Sequence, residues 1–293
     1  MRSEKQMLEL ILSVASGNNN IRAVILNGSR ANKNIKSDDF QDYDIVYVVD
    51  ELKGFESRPT WIDVFGERII LQMPNSMKID EDDSETEEDE ITYLMLFKDF
   101  NRIDLKLVEV KNILNYKDSL SKILLDKDHL FKERLGPSEE DYMIKEPSQK
   151  EFLDCCNEFW WVSTYVIKGL ARDEPIYAKE MLENPVRKMF MKMLSWYVGA
   201  TKGFEINLGN CNRFLKEHVS SALWKRILRT YPDSEIINIW NSLMEMISVF
   251  HELGLEVAKE TGLNYKIEES INVKEYIGNM KERIINKNPA ANN

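Results

Sequence analysis

Cysteine and histidine are scarce in this chain, and the few present are poorly placed for the chemistry usually built on them. Three cysteines include the adjacent pair Cys155-Cys156 and the isolated Cys211, which gives no basis for a disulfide framework and reads as packed or inert thiols. The three histidines, His129, His218 and His251, show no paired metal-ligand spacing and lend no support to a histidine–cysteine catalytic pair. No apolar run approaches the ~18 residues of a membrane span. The N-terminal stretch is interrupted by Glu4, Lys5 and Glu9, so it reads as an amphipathic helix and not as a secretion signal, and the cytoplasm is the expected location. Basic charge is also short: 39 basic residues face 50 acidic ones, a net charge of −11. No basic run offsets that balance, so a nucleic-acid partner is disfavoured and a cationic small molecule fits better. Internal repeats are absent.

What is present suggests two domains, because single cores rarely grow beyond roughly 250–300 residues and this chain has 293. Met7, Leu10, Ile11, Val14 and Ala15 have the spacing of a helix over 3–16 with one buried face. Ile21 to Leu26 fits a buried strand, and Gly28-Ser29-Arg30-Ala31-Asn32 can turn the chain and open a helix. Asp42 to Val49 is the strongest strand pattern in the sequence. Further strands fit Arg68–Met73, Ile91–Phe97 and Arg102–Val110, with helical patterns around Thr60–Phe65 and Lys111–Tyr116.

Beyond Gly136-Pro137 and Pro147 the texture becomes helical. Ser148 and Glu151 form a capping-box pattern for a helix from Gln149 that buries Phe152, Cys155, Phe159, Val162, Val166 and Leu170. More helices fit 185–201, 220–230, 234–261 and 273–285. The fold class is therefore α+β: a small mixed sheet flanked by helices over 1–146, a helical bundle over 147–285, and a polar tail over 286–293. Between two strands lies an acidic loop in which nine of the eleven residues from Asp80 to Glu90 are carboxylic. Self-repulsion keeps such a loop solvated; its functional reading is an attractor for a cationic substrate.

The chemistry concentrates elsewhere. Strand side chains alternate, so Asp42 and Asp44 share a face while Tyr43 and Ile45 point into the other layer. Two carboxylates on one face repel unless a cation lies between them, and Mg²⁺ prefers such oxygens. In Arg102-Ile103-Asp104-Leu105-Lys106-Leu107 the aliphatic residues share one face and Asp104 takes the other. A charge there requires a partner, and if the strands are neighbours Asp104 completes a three-carboxylate site. Gly28 allows backbone to approach a phosphate, Ser29 offers a hydroxyl donor and Arg30 a charge-assisted one.

This order resembles the nucleotidyltransferase superfamily typified by DNA polymerase beta: a strand, Gly-Ser, a short helix, a strand with Asp-x-Asp, and a later Asp. More closely, the chain is similar to the aminoglycoside 6-adenylyltransferases, through NGSRANKNI at 27–35, FQDYDIVYVV at 40–49, WIDVFGERIILQMP at 61–74, LLDKDHLF at 124–131 and CCNEFWWVSTYVIKGLAR at 155–172. The similarity runs from the first helix to about Tyr276. It implies transfer of AMP from ATP to the 6-hydroxyl of streptomycin, with release of pyrophosphate.

In that frame Asp42 and Asp44 bind Mg²⁺. Asp104 completes the metal site or takes the proton, and Gly28, Ser29 and Arg30 hold the β- and γ-phosphates. The helical half closes over the site and holds the antibiotic. Glu158, Trp160 and Trp161 meet its guanidinium groups, unless the two rings simply pack in the core. Glu158 is the alternative base if Asp104 is purely a metal ligand, and Lys168 reaches a phosphate. A different acceptor hydroxyl (another aminoglycoside, a protein or an RNA end) is the alternative within the same chemistry. A catalytically dead binding module has no need of three such carboxylates.

Overall fold

The computed structural model describes residues 1–56, 59–77, 90–115, 118–131 and 136–287. The chain divides into two compact units, Met1–Asp141 and Tyr142–Asn293. This division falls five residues before the expected 146/147 boundary. The reason is local: Ile144 N–H donates to the Ile206 carbonyl at 2.9 Å and Met143 bridges to Asn207, tying this stretch to the helical unit. Most of the acidic loop, residues 80–89, lies outside the described residues, as does the tail from 288; Glu90 already belongs to a strand.

In the first unit, α1 (Glu4–Gly17) opens with a reciprocal Ser3/Gln6 capping box. Then follow β1 (Ile21–Leu26), the single turn α2 (Gly28–Ala31), β2 (Tyr43–Val49), the turn α3 (Lys53–Glu56), β3 (Arg68–Gln72), β4 (Glu90–Phe97), β5 (Arg102–Glu109) and β6 (Lys122–Asp126). The strands form one six-stranded sheet in the order β3-β4-β5-β2-β1-β6. Every pairing is antiparallel except β2 with β5, which is parallel and central.

Alternation along β2 and β5 divides the sheet into two faces. Tyr43, Ile45, Tyr47, Ile103, Leu105 and Leu107 lie in a core shared with Met7, Ile11 and Ala15 of α1. Tyr47 hydroxyl donates to the Ile11 carbonyl at 2.6 Å, which satisfies the one polar atom that this ring buries. Val46, Val48 and Val108 turn to the second face, where they pack with Ala23, Ile25 and Ile113. That second core is smaller, and the Asp44 and Asp104 positions lie on its face.

Three expectations change here. The helices expected at 60–65 and 111–116 are 3₁₀ segments, Pro59–Phe65 and Val110–Asn115, short connectors of the kind in which that tighter turn is common. Strand β6 was not anticipated; it is a five-residue edge strand without alternation, held by pairing to β1.

The second unit is helical: α4 (Gln149–Ala171), α5 (Pro175–Met181), α6 (Arg187–Lys202), α7 (Leu215–His218), α8 (Ser221–Arg229), α9 (Ile236–Thr261) and α10 (Ile267–Lys287). The Ser148/Glu151 capping box forms as expected, and all six apolar residues assigned to the inner face of α4 are buried. Helices α5 and α6 join through a π-helical turn, Leu182–Val186, that contains Pro185. A proline lacks the N–H for the ordinary i→i−4 bond, and the wider turn accommodates that loss. The centre of the core is Phe159 stacked on Phe250 at 3.6 Å between ring centroids, with Trp160 edge-on to both. No described helix is long and apolar enough to cross a membrane.

Candidate active site

The parallel β2–β5 pairing decides the geometry. Its register sets Asp44 directly opposite Asp104, with Tyr43 opposite Ile103 and Ile45 opposite Leu105. Asp42 precedes the strand, and its carboxylate reaches the same group of charges, since both it and Asp104 contact Arg102. The sheet thus brings together the three aspartates that the sequence singled out.

Gly28 completes one wall. Asn27 N–H donates to the Asp44 carbonyl at 2.8 Å, which draws the β1–α2 turn onto β2. Ser121 hydroxyl donates to the Asn27 side-chain oxygen at 2.9 Å and holds the turn from the β6 side. Gly28 adopts φ +67°, and a Cβ there would lie 2.2 Å from Asp44 Oδ2. Backbone therefore touches carboxylate with no side chain between, and Ser29 follows at the first turn of α2, half-buried.

Arg30 departs from its expected role. Its guanidinium donates to the carbonyls of Asp42 at 3.0 Å and Gln41 at 2.8 Å, pairs with Glu4 at 3.2 Å, and covers the Tyr43 ring at 4.0 Å. With its side chain only 8% exposed, it is turned to the α1 face and fixes the backbone of the Asp-x-Asp segment. The phosphate-holding expectation for Arg30 meets a different contact set here, with its guanidinium on main chain and Glu4.

A residue that the sequence reading passed over lies in the middle of the site. Arg102 Nε and Nη2 each donate to one oxygen of Asp104 at 2.7 Å, and Nη1 lies 3.5 Å from Asp42 Oδ2. Its position two residues before Asp104 on an alternating strand was the available signal. Asp44 has no such partner among the described residues. Burial first, then the charges of Asp104 and Asp42, push its pKa from 3.8 to about 6. Burial likewise raises Asp42, against the pull of Arg102.

The donor set suits a hard divalent cation: carboxylate oxygens gathered by adjoining strands, with the Gly28 backbone packed directly against one of them. Among the described residues no three carboxylate, imidazole or thiolate groups converge on one point as they stand.

In the helical unit, Glu158, Trp161, Tyr165 and Lys168 recur at three- and four-residue intervals along one face of α4. Trp161 is 60% exposed, donates its indole N–H to Tyr165 hydroxyl at 2.9 Å and packs edge-on to that ring. Lys168 Nζ lies 4.6 Å from the Tyr165 centroid. Glu158 also lines a cleft of about 640 Å³ with Glu183, Asn184 and Lys188. Trp160 does not belong to this surface. It is 2% exposed in the helical core, so its expected part in binding is corrected to packing. Tyr165 and Glu183 were not anticipated.

Residues 1–280 match the family described as streptomycin adenylyltransferase. An aminoglycoside 6-adenylyltransferase of Campylobacter jejuni is 40% identical over 91% of this chain and 92% of its own length. One of Bacillus subtilis (strain 168) is 38% identical over 91% and 93%, and one of Staphylococcus aureus is 34% identical over 96% and 100%. By the family match over nearly its whole length, and by these identities, the chain belongs to the streptomycin adenylyltransferase family.

Proposed function

We propose that the protein transfers AMP from ATP to the 6-hydroxyl of streptomycin and releases pyrophosphate. The observation that carries the reading is the cross-strand pair Asp44–Asp104, with Asp42 beside it and the backbone of Gly28 against Asp44. The names of the relatives, aminoglycoside 6-adenylyltransferases, and the family description support the acceptor class.

Asp42 and Asp44 would hold Mg²⁺, with Asp104 as a third ligand or as base. When bound, the cation neutralises phosphate charge as the leaving group departs. Gly28 and Ser29 present backbone and a hydroxyl to the triphosphate. The acceptor oxygen bonds to the α-phosphorus, the bond from that phosphorus to the bridging oxygen of pyrophosphate breaks, and the hydroxyl proton passes to a carboxylate. A sugar hydroxyl is a poor nucleophile near neutral pH, so a proton acceptor is required. Asp104 is one candidate for it and Glu158 the other. On α4, the Glu158 carboxylate and the Trp161 face suit guanidinium groups, by ion pairing and by stacking.

Incubation with ATP, Mg²⁺ and a panel of aminoglycosides, followed by pyrophosphate assay and mass spectrometry of the antibiotic, tests this. The expected product is an AMP adduct of streptomycin alone. Turnover of another aminoglycoside in preference would move the acceptor, and no turnover with any member would overturn the reading.

A further inference from the structure

Arg102 is bonded in a way that an active-site arginine serving only phosphate would not be. Its Nε and Nη2 each donate to one oxygen of Asp104, a bidentate fork at 2.7 Å on each arm, and Nη1 faces Asp42 at 3.5 Å. Bidentate guanidinium–carboxylate pairs are among the stronger and more directional ionic contacts. The pairing is local in sequence: residues 102 and 104 share one face of β5, so the strand itself delivers the guanidinium to the carboxylate. Yet Arg102 is not locked in place. Its side chain is 42% exposed, and no other hydrogen-bond acceptor among the described residues holds it.

We propose that Arg102 is a positioning residue with two stations: it neutralises Asp104 and Asp42 before a divalent cation arrives, and gives them up when nucleotide phosphate takes its guanidinium. The inference rests on the metal reading given under Proposed function. The guanidinium and a dication would be drawn to overlapping carboxylates, at Asp42 and at Asp104 where it serves as third ligand, and they repel one another, so the two compete. A planar guanidinium released within electrostatic reach of Asp44, on which Gly28 rests, is matched to phosphate oxygens, which lowers the cost of the exchange only when nucleotide is present. The competition holds the cation off until its substrate is bound.

The test is Mn²⁺ binding to the nucleotide-free protein, followed by paramagnetic resonance or calorimetry, in wild type, Arg102→Gln and Arg102→Lys. Arg102→Gln is expected to bind Mn²⁺ on the order of 10-fold more tightly than wild type, within the usual range of coupling between competing sites. Arg102→Lys keeps the charge and removes the fork, so its affinity should fall between the two; it serves on its own if the glutamine variant does not fold. In EDTA, Arg102→Gln should melt below wild type, because three carboxylates lose their counter-charge, and Mn²⁺ should restore the difference. A merely structural arginine would give weaker Mn²⁺ binding in both variants. Equal or weaker binding in the variants, with wild type binding Mn²⁺ in the presence of nucleotide, overturns the inference and leaves the metal reading standing. No Mn²⁺ binding by any of the proteins, with or without nucleotide, sinks both.

Discussion

Gly28 rests on Asp44 so closely that the smallest side chain would collide with the carboxylate: a Cβ would stand 2.2 Å from Oδ2, at a φ of +67°. Two penalties follow for Gly28→Ala. The left-handed backbone costs about 1–2 kcal/mol for a residue with a Cβ, and Asp44 must move by an ångström or more. A displacement of that size at a reacting centre lowers rates by roughly 100-fold. Gly262 provides the control, since it has φ +73° with nothing within 4 Å of its virtual Cβ. Gly262→Ala should show the stability loss alone in thermal melts and retain kcat. Equal kcat losses in both variants would mean that strain, and not the Asp44 contact, is what matters at Gly28.

Asp44 should trade stability for function. Its pKa stands near 6 in the folded protein, against an ordinary 3.8, because burial and two neighbouring carboxylates oppose its charge. A raised carboxyl pKa means that the native state holds the proton more tightly than the unfolded one. This favourable contribution is complete below about pH 3.8 and is lost as pH rises through about 6. Asp44→Asn cannot ionise and escapes that loss. In EDTA its melting temperature relative to wild type should therefore climb by a few degrees between pH 4 and 6.5, while turnover with Mg²⁺ falls to background. A flat difference across that range would show that Asp44 ionises normally.

The strand pattern made Asp104 legible without a structure, because Ile103, Leu105 and Leu107 took the core face and left a charge on the other. The same alternation carried Asp42 and Asp44. What the sequence did not contain was register. Only the Asp44–Asp104 pairing makes one site of two strands nearly sixty residues apart, and only a placed side chain shows Arg102 reaching Asp104 and Asp42 together. The placement of Arg30 was hidden for a related reason. Adjacency to Gly28-Ser29 suggested a phosphate ligand, but a long side chain can turn to either face of a sheet, and Glu4, Tyr43 and two carbonyls drew it to the α1 side. Strand β6 was invisible because an edge strand owes its conformation to its partner more than to its own pattern.

On the proposed reading of the site, these contacts make Arg30 a support for the segment that carries Asp42. Replacing it by alanine removes bonds to two carbonyls and Glu4 from a mostly buried position, a loss of about 2–4 kcal/mol in stability. It also frees the segment that carries both aspartates. Steady-state kinetics of Arg30→Ala should show a large fall in kcat with KM for ATP changed less than about threefold, since no bond to nucleotide is lost. A steep rise in KM for ATP at near-normal kcat would restore the phosphate-binding role.

The neighbouring tryptophans of α4 should separate cleanly. Trp160 is in contact with Phe159 and Phe250 inside the helical core, and a buried Trp→Ala change costs about 3–5 kcal/mol. Trp161 presents its ring to solvent beside Tyr165, so Trp161→Ala should leave the melting temperature within a degree or two. Its cost falls on the acceptor. An exposed cation–π contact contributes about 0.5–1 kcal/mol, which raises KM for streptomycin roughly two- to fivefold while KM for ATP stays constant. Trp161→Phe keeps a π face and should recover most of that loss, whereas Trp161→Leu keeps apolar area and should not. Equal rescue by phenylalanine and leucine would assign the contact to burial of apolar surface and remove the stacked guanidinium from this helix face.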